Sequence, residues 1–182
     1  MNFEQPKPDS KKYSDLISEI DKGIIKIPKF QRNFVWSIDK TAKLLDSILK
    51  GYPIGTFILW QTTERINDIK NIGNLKIPPT PDGVKVQYVL DGQQRITSLY
   101  AAYLGAEIQK VGEKKITDYS RIFINLDGDI NDDEQIITAF PTGENHIPLN
   151  DVLNFMERMP EISERVSGDF LKKIHAYSRA FD

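Results

Sequence analysis

The stretch Leu90-Asp91-Gly92-Gln93-Gln94-Arg95-Ile96-Thr97 lies where an apolar run ends and an amphipathic run begins. Residues 86–90 indicate a buried strand, and the apolar residues of 96–104 have the spacing of one helix face. A strand that turns through glycine into a helix points unpaired backbone N–H groups and the positive end of the helix dipole outward. The stretch therefore predicts an anion site, and phosphate is the first ligand to consider.

Composition narrows the class of protein. The chain has 182 residues, of which 40% are hydrophobic and 27% charged, as is typical of a soluble globular domain. It has no cysteine, which excludes disulfides, a thiolate nucleophile and cysteine zinc sites. It also lacks an apolar run of about 18 residues and a signal-peptide pattern at its start. We therefore expect a cytoplasmic protein with no membrane partner.

The net charge of −2 weighs against a broad DNA-coating surface on this segment alone. Binding to duplex DNA draws much of its affinity from Lys and Arg side chains that neutralise phosphates. A local basic patch is still compatible with this charge, but composition does not supply one.

Periodicity and turn residues predict the elements before the central motif. Tyr13, Leu16, Ile17 and Ile20 predict a short helix that ends near Gly23. The remaining predictions are an edge strand or extended arm over Ile24–Pro28, a helix over Ile38–Lys50 capped by Ser37, and a core strand over Thr56–Trp60.

The later part of the chain predicts a loop, a strand pair and then helices. Residues 62–85 predict a long loop with a short strand near Asn74–Ile77. Arg121–Leu126 and Ile136–Phe140 predict two paired strands, and the pattern becomes helical after Pro148. This order predicts a mixed α/β or α+β domain. We divide the chain into a polar tail (1–12), a domain (13–150) and a helical extension or start of a following domain (151–182), as expected of a fragment of a longer protein.

The side chains of the central motif suit phosphate chemistry. Gly92 lets the backbone approach a ligand, and Arg95 presents a planar fork to phosphate oxygens. Asp91 could bind a divalent cation or cap the helix, while Gln93 and Gln94 could orient a water. Thr97 adds a hydroxyl one turn on. The alternative is a tight turn before a capped helix, with Arg95 as a surface charge.

A second block, residues 27–37, mixes polar and aromatic side chains just before a capped helix. Gln31 and Arg32 are candidate ligand contacts, and Phe34 and Trp36 are candidate base-stacking residues. The alternative is that the aromatic residues belong to the core of an irregular arm.

Other motifs are absent or incomplete. The acidic loop 127–135 has Asp132 where a calcium loop needs glycine and Thr138 where it needs glutamate, so we reject an EF-hand. No Walker loop, dinucleotide fingerprint or nucleophile elbow is present.

Two blocks resemble one bacterial family. Pro28-x-x-Gln31-Arg32-x-x-x-Trp36 and Asp91-Gly92-Gln93-Gln94-Arg95 look like the signature blocks of the ParB-like N-terminal domain of GmrSD-type, modification-dependent restriction systems. The resemblance implies a ParB/sulfiredoxin-like α+β fold, with a small mixed sheet and flanking helices, in which a G-x-x-R helix start holds phosphates. It also implies hydrolysis of a nucleoside triphosphate or sensing of modified DNA, with DNA cleavage by a separate downstream domain.

The motif together with this resemblance implies an NTP-binding, NTP-hydrolysing regulatory or sensing domain of an anti-phage restriction system. Asp91, Gln93, Gln94 and Arg95 are the predicted catalytic residues, with Mg²⁺ on Asp91. The predicted phosphate contacts are Gly92, Gln94, Arg95, Thr97, Gln31 and Arg32. Two alternatives are a non-catalytic module that grips DNA phosphate and a structural or assembly domain. DNA is expected to bind through the full-length protein, and self-association is left open.

Overall fold

The computed structural model describes residues 7–66, 69–72 and 74–182, in which helices and strands are mixed along the chain and the last three helices follow the last strand. The helices are α1 (Tyr13–Asp21), α2 (Ile38–Leu49), α3 (Gln93–Leu104), α4 (Leu149–Leu153), α5 (Phe155–Arg165) and α6 (Gly168–Ser178), with 3₁₀ turns at Tyr119–Arg121 and Arg179–Phe181. The strands are β1 (Ile25–Pro28), β2 (Ile58–Thr62), β3 (Ile69–Lys70), β4 (Val86–Asp91), β5 (Glu107–Gln109), β6 (Ile116–Asp118), β7 (Phe123–Asn125), β8 (Ile137–Thr138) and β9 (His146–Pro148). This architecture confirms the α+β class, while the ParB/sulfiredoxin-like assignment stays a prediction.

The main sheet has the strand order β2-β4-β1-β3, with β1 parallel to β4 and the other pairs antiparallel. The predicted edge position of β1 is wrong, because β1 lies between β4 and β3. Its proline is tolerated there because Ile25 and Lys26 carry the pairing with β4, whereas Pro28 lies opposite β3. The missing N–H of Pro28 therefore interrupts no bond to β4.

Strand β2 differs from the predicted core strand over Thr56–Trp60. It begins two residues later, at Ile58, and it lies at the edge of the sheet. Ile58 and Trp60 are exposed, whereas Leu59 packs against the core. The apolar run therefore covers two faces of an edge strand, of which only one is buried.

The predicted loop over 62–85 contains β3 and an isolated bridge between Ile72 and Leu75. The predicted strand near Asn74–Ile77 is therefore reduced to one bridging residue. Residues 67, 68 and 73 of this loop lie outside the described ranges.

The predicted pairing of two later strands is confirmed. Strand β7 pairs with β8 and also with β9 in a three-stranded antiparallel sheet. The buried carboxylate of Asp46 on α2 accepts hydrogen bonds from the N–H groups of Ile136 (2.8 Å) and Ile137 (3.0 Å). This contact joins α2 to the second sheet.

Both sheets and the C-terminal helices contribute to one hydrophobic cluster. Leu45 of α2, Val89 of β4 and Ile124 of β7 belong to it, and so do Ile174 and Phe181 near the end of the chain. Residues after 150 thus pack on the same core as those before it. The predicted division at 150 and the polar tail stay predictions; residues 1–6 of that tail lie outside the described ranges.

Candidate functional site

The central strand–turn–helix unit forms as predicted. Strand β4 ends at Asp91, α3 begins at Gln93, and Gly92 between them has φ +90° and ψ 8°. This left-handed conformation strongly favours glycine. Gly92 is the N-cap residue of α3, so the N-cap position itself has no side chain that could cap the helix. Asp91 therefore does not cap α3, because the chain turns one residue after it.

The Arg95 guanidinium is held by protein acceptors. Its Nη1 donates to the carbonyl of Ile54 (2.6 Å), and its Nη2 donates to the carbonyl of Thr56 (2.8 Å) and to Asp91 Oδ2 (3.2 Å). It also lies over the Phe57 ring, at 5.0 Å from the centroid. The Arg95 side chain is only 15% exposed, so it is not the surface charge of the alternative interpretation. The guanidinium joins the start of α3 to the segment before β2.

Gly92 is buried at this corner. A Cβ at Gly92 would lie 2.5 Å from Cδ1 of Phe57 and 3.3 Å from Nη2 of Arg95. Glycine is thus required here because the ring of Phe57 lies against the place that a Cβ would occupy. The backbone here faces packed side chains.

The Gln94 side chain is buried and bonded on both sides. Its Oε1 accepts from the N–H groups of Val35 (2.9 Å) and Trp36 (3.3 Å). Its Nε2 donates to the carbonyl of Asn33 (2.8 Å) and to Gln93 Oε1 (2.8 Å). Gln94 therefore fixes residues 33–36, which we call the arm, against the first turn of α3.

A cavity of about 360 Å³ lies on another face of α3. Gln93 and Thr97, four residues apart, share this face and line it. The Thr97 hydroxyl is buried and has no hydrogen-bond partner within the described ranges. Among the described residues, the cavity is lined by Lys29, Asn33, Phe34, Asn71, Ile72, Gln93, Thr97, Ile108, Lys110 and Val111.

The charged side chains in this lining are both cationic. Lys29 comes from the segment after β1, and Lys110 from the segment after β5. Lys110 is only 8% exposed, and its ammonium lies 5.9 Å from the centroid of the Phe34 ring. Across the described part of the chain, no carboxylate lines the cavity. Amide, hydroxyl and ammonium groups without a carboxylate suit an anionic ligand.

The residues of the second block are placed differently from one another. Gln31 donates from Nε2 to the carbonyl of Leu90 (2.9 Å), which brings it to the end of β4, and Arg32 is exposed. Phe34 is buried with its ring 6.2 Å from that of Tyr119, yet it borders the cavity. Trp36 is half-buried, with the Lys40 ammonium 4.4 Å from its ring centroid.

The predicted site is therefore divided between faces of α3. Gln93 and Thr97 face the cavity, whereas Arg95 and Asp91 form a pair on the side of residues 54–57. Residues two apart on a helix do not face the same way, so one small ligand in the cavity does not reach both sets. The predicted roles of these residues stay predictions.

The amino-acid sequence matches a known family. The model described as GmrSD restriction endonuclease, N-terminal domain, covers residues 13–180, which is nearly the whole chain. The chain belongs to this GmrSD N-terminal domain family. The resemblance predicted from the two sequence blocks is thus confirmed.

A relative of this GmrSD N-terminal domain is an uncharacterized protein of Methanocaldococcus jannaschii. The two are 33% identical over 129 residues, which is 69% of this chain and 22% of the relative. The chain thus spans less than a quarter of the relative's length. In the described ranges, no helix is both long and apolar enough to cross a membrane.

Sequence reasoning missed the cationic side of the cavity. Lys29 and Lys110 are far apart in the sequence, and neither lies in a motif that specifies a ligand. Lys29 does fall inside the second block, between Pro28 and Gln31, which was the one available signal. Lys110 becomes part of the site because the chain after β5 brings its ammonium to 5.9 Å from the centroid of the Phe34 ring.

Proposed function

We propose that this chain is a nucleoside-triphosphate-binding regulatory domain of a DNA restriction system, acting in the cytoplasm, with the phosphates held in the cavity beside α3. Membership of the GmrSD N-terminal domain family supports the role in restriction and anti-phage defence. The cavity itself supports the ligand class. The single observation that carries the proposal is a lining with two lysines and no carboxylate, within the described residues, around the unpartnered hydroxyl of Thr97.

Electrostatics favour an anion in this cavity. Lys110 is nearly buried, and an ammonium in a partly desolvated position interacts with a phosphate more strongly than one in bulk water. The volume of about 360 Å³ falls in the range of small-molecule pockets, roughly 300–1,000 Å³. Phosphate oxygens also accept hydrogen bonds from hydroxyl and amide donors, which Thr97 and Gln93 can supply.

The proposal gives the residues of the central motif different roles. Gln93 and Thr97 contact phosphate, together with Lys29 and Lys110. Arg95 and Gln94 hold the segments around the start of α3 in place, since they donate hydrogen bonds to backbone carbonyls of those segments. The catalytic roles predicted for Asp91, Gln93, Gln94 and Arg95 are tested by turnover, separately from binding.

The fit of Mg²⁺ rests on the carboxylates available. No group of three or more acidic, histidine or cysteine side chains in the described ranges could hold a metal ion. Asp91, the predicted ligand, is paired with Arg95 and does not line the cavity. These residues do not form a metal site by themselves. Mg²⁺ commonly reaches a protein through substrate phosphates, so Mg²⁺ would arrive here bound to the nucleotide.

The test is nucleotide binding, measured by calorimetry with ATP, GTP, CTP and UTP in turn. Lys110→Gln and Lys29→Gln are each expected to lower the affinity about 10–100-fold, the effect of losing a charge-assisted hydrogen bond. Lys172→Gln is the matched control, because its side chain is 83% exposed on α6 and away from the cavity. Wild-type protein that binds none of the four nucleotides would refute the proposal.

Turnover and DNA binding form the second part of the test. Release of inorganic phosphate with Mg²⁺ would establish hydrolysis, and binding without release would leave a sensing domain. If the cavity instead holds a DNA phosphate, an oligonucleotide should bind much more tightly than any of the four nucleotides, with an affinity that falls steeply with salt.

A further inference from the structure

The hydrogen bonds around Gln93 and Gln94 determine which way each carboxamide places its oxygen and its NH₂ group. Gln94 Oε1 lies within hydrogen-bond distance of the N–H groups of Val35 and Trp36. A backbone N–H can only donate, so the Gln94 atom that faces it must be the carbonyl oxygen. The orientation of Gln94 therefore follows from the arm.

The orientation of Gln93 follows in turn. Gln94 Nε2 uses one proton on the Asn33 carbonyl and the other on the neighbouring Gln93 side chain (2.8 Å each). Because that second proton needs an acceptor, the Gln93 atom facing Gln94 must be its oxygen. The Gln93 NH₂ group is then directed away from Gln94, on a side chain that lines the cavity.

We propose that Gln94 is a positioning residue that holds the Gln93 NH₂ group toward the cavity, so that this wall selects a ligand group that only accepts hydrogen bonds. Fully ionised phosphate oxygens are such a group. The inference rests on the proposed function, since it names which atoms of the same cavity recognise the phosphate.

The opposite orientation of the Gln93 carboxamide is disfavoured both at its NH₂ group and at its oxygen. Its NH₂ would face the NH₂ of Gln94, leaving a buried donor without an acceptor. Its carbonyl oxygen would face the ligand, where it would repel phosphate. Leaving a buried donor unpaired corresponds to about a 10–100-fold preference for the orientation described.

The experiment measures binding of inorganic pyrophosphate by calorimetry, because pyrophosphate contains only acceptor oxygens when ionised. Gln93→Met removes the donor while keeping an unbranched side chain, and we expect at least a tenfold loss of affinity. Gln93→Glu keeps an acceptor for Gln94 but puts a carboxylate toward the ligand, so its loss should be larger. Gln61→Glu, at an exposed position of β2, adds the same charge elsewhere and should change affinity less than about twofold.

A double-mutant cycle tests the positioning role. If Gln94 acts through Gln93, Gln94→Met should weaken pyrophosphate binding about tenfold in the wild type and have little further effect in the Gln93→Met background. A purely structural role of Gln94 would instead give losses that add. Thermal unfolding shows which variants fold. If the Gln94 variants do not fold, the Gln93→Met variant alone tests the inference. An unchanged or higher affinity of this variant for pyrophosphate would mean that the carbonyl oxygen of Gln93 faces the cavity, which overturns the inference.

Three results separate the two proposals. Wild-type protein that binds neither pyrophosphate nor a nucleotide overturns both. Binding that depends on Lys110 but not on Gln93 overturns the inference and leaves the proposed function standing. Binding that depends on Lys110 and Gln93, with additive losses at Gln93 and Gln94, overturns the positioning role.

Discussion

Replacing Gly92 with alanine tests why the central corner requires glycine. The added Cβ would lie 2.5 Å from Cδ1 of Phe57, and the backbone there has φ +90°. Gly112 provides the matched control, because it has φ +85° but an added Cβ there would meet no atom of the described residues within 4 Å. The two variants share the backbone strain and differ in the steric clash.

The magnitudes follow from these two geometries. A left-handed conformation disfavours alanine by roughly 1–2 kcal/mol, and the reduced freedom of the unfolded chain returns about 0.4–1 kcal/mol. Gly112→Ala should therefore lower the free energy of unfolding by about 1 kcal/mol. Overpacking against the Phe57 ring adds about 1–3 kcal/mol, so Gly92→Ala should lower it by about 2–4 kcal/mol.

The assay is urea unfolding of both variants, followed by circular dichroism. The same comparison in a Phe57→Ala background should remove most of the difference between the two alanine variants, because the clash has gone. Equal destabilisation by Gly92→Ala and Gly112→Ala in the native background would refute the argument that the ring of Phe57 sets the need for glycine.

Two further predictions concern the packing around α3. Arg95→Ala should lower the free energy of unfolding by about 1–3 kcal/mol, because the carbonyls of Ile54 and Thr56 lose their donor. The affinity for pyrophosphate should stay within about twofold of the wild type. A tenfold loss of this affinity with unchanged stability would instead show that the guanidinium acts on the ligand. Burial, together with the hydrogen bond and charge of Asp21, raises the pKa of Tyr100. A raised folded-state pKa means that stability is present below the ordinary tyrosine value near 10 and falls as the pH rises above it. Tyr100→Phe should therefore lose less stability between pH 9 and pH 11 than the wild type, as measured by urea midpoints, and equal losses would contradict this.

The elements that sequence predicted best are those with a local cause. Ser37 caps α2 by accepting from the N–H of Lys40 (3.2 Å), as the pattern predicted. Gly23 and Gly51 follow α1 and α2 with positive φ, as helix-terminating glycines do. In each case the signal lies within a few residues of the structure that it produces.

The errors have a non-local cause. Pro28 indicated an edge strand. Whether a proline interrupts the hydrogen bonds between strands depends on which strand lies opposite it, and here that strand is β3, from about 40 residues later in the chain. The apolar run that includes Ile58 and Trp60 indicated a core strand, but nothing local shows that the far side of β2 has no partner strand. Strand order is set by packing between distant segments.

The candidate site shows the same division. The strand, the glycine turn and the helix start were predictable because they are contiguous. Lys29 and Lys110 reach the cavity from segments that are separated by about 80 residues, which include α2, three strands of the main sheet and α3, so no spacing rule connects them. The orientation of the Gln93 carboxamide depends on contacts of its neighbour with residues about 60 positions earlier.

Because Gln94 contacts both the arm and Gln93, binding of a partner to the arm and binding of a ligand in the cavity are thermodynamically coupled. The carboxamide that is bonded to Asn33, Val35 and Trp36 is bonded also to Gln93. A macromolecule that grips the exposed side chains of Phe30, Arg32 and Val35 and shifts this backbone would alter affinity in the cavity. Linkage then requires that a ligand in the cavity change the affinity of that macromolecule for the protein by the same factor.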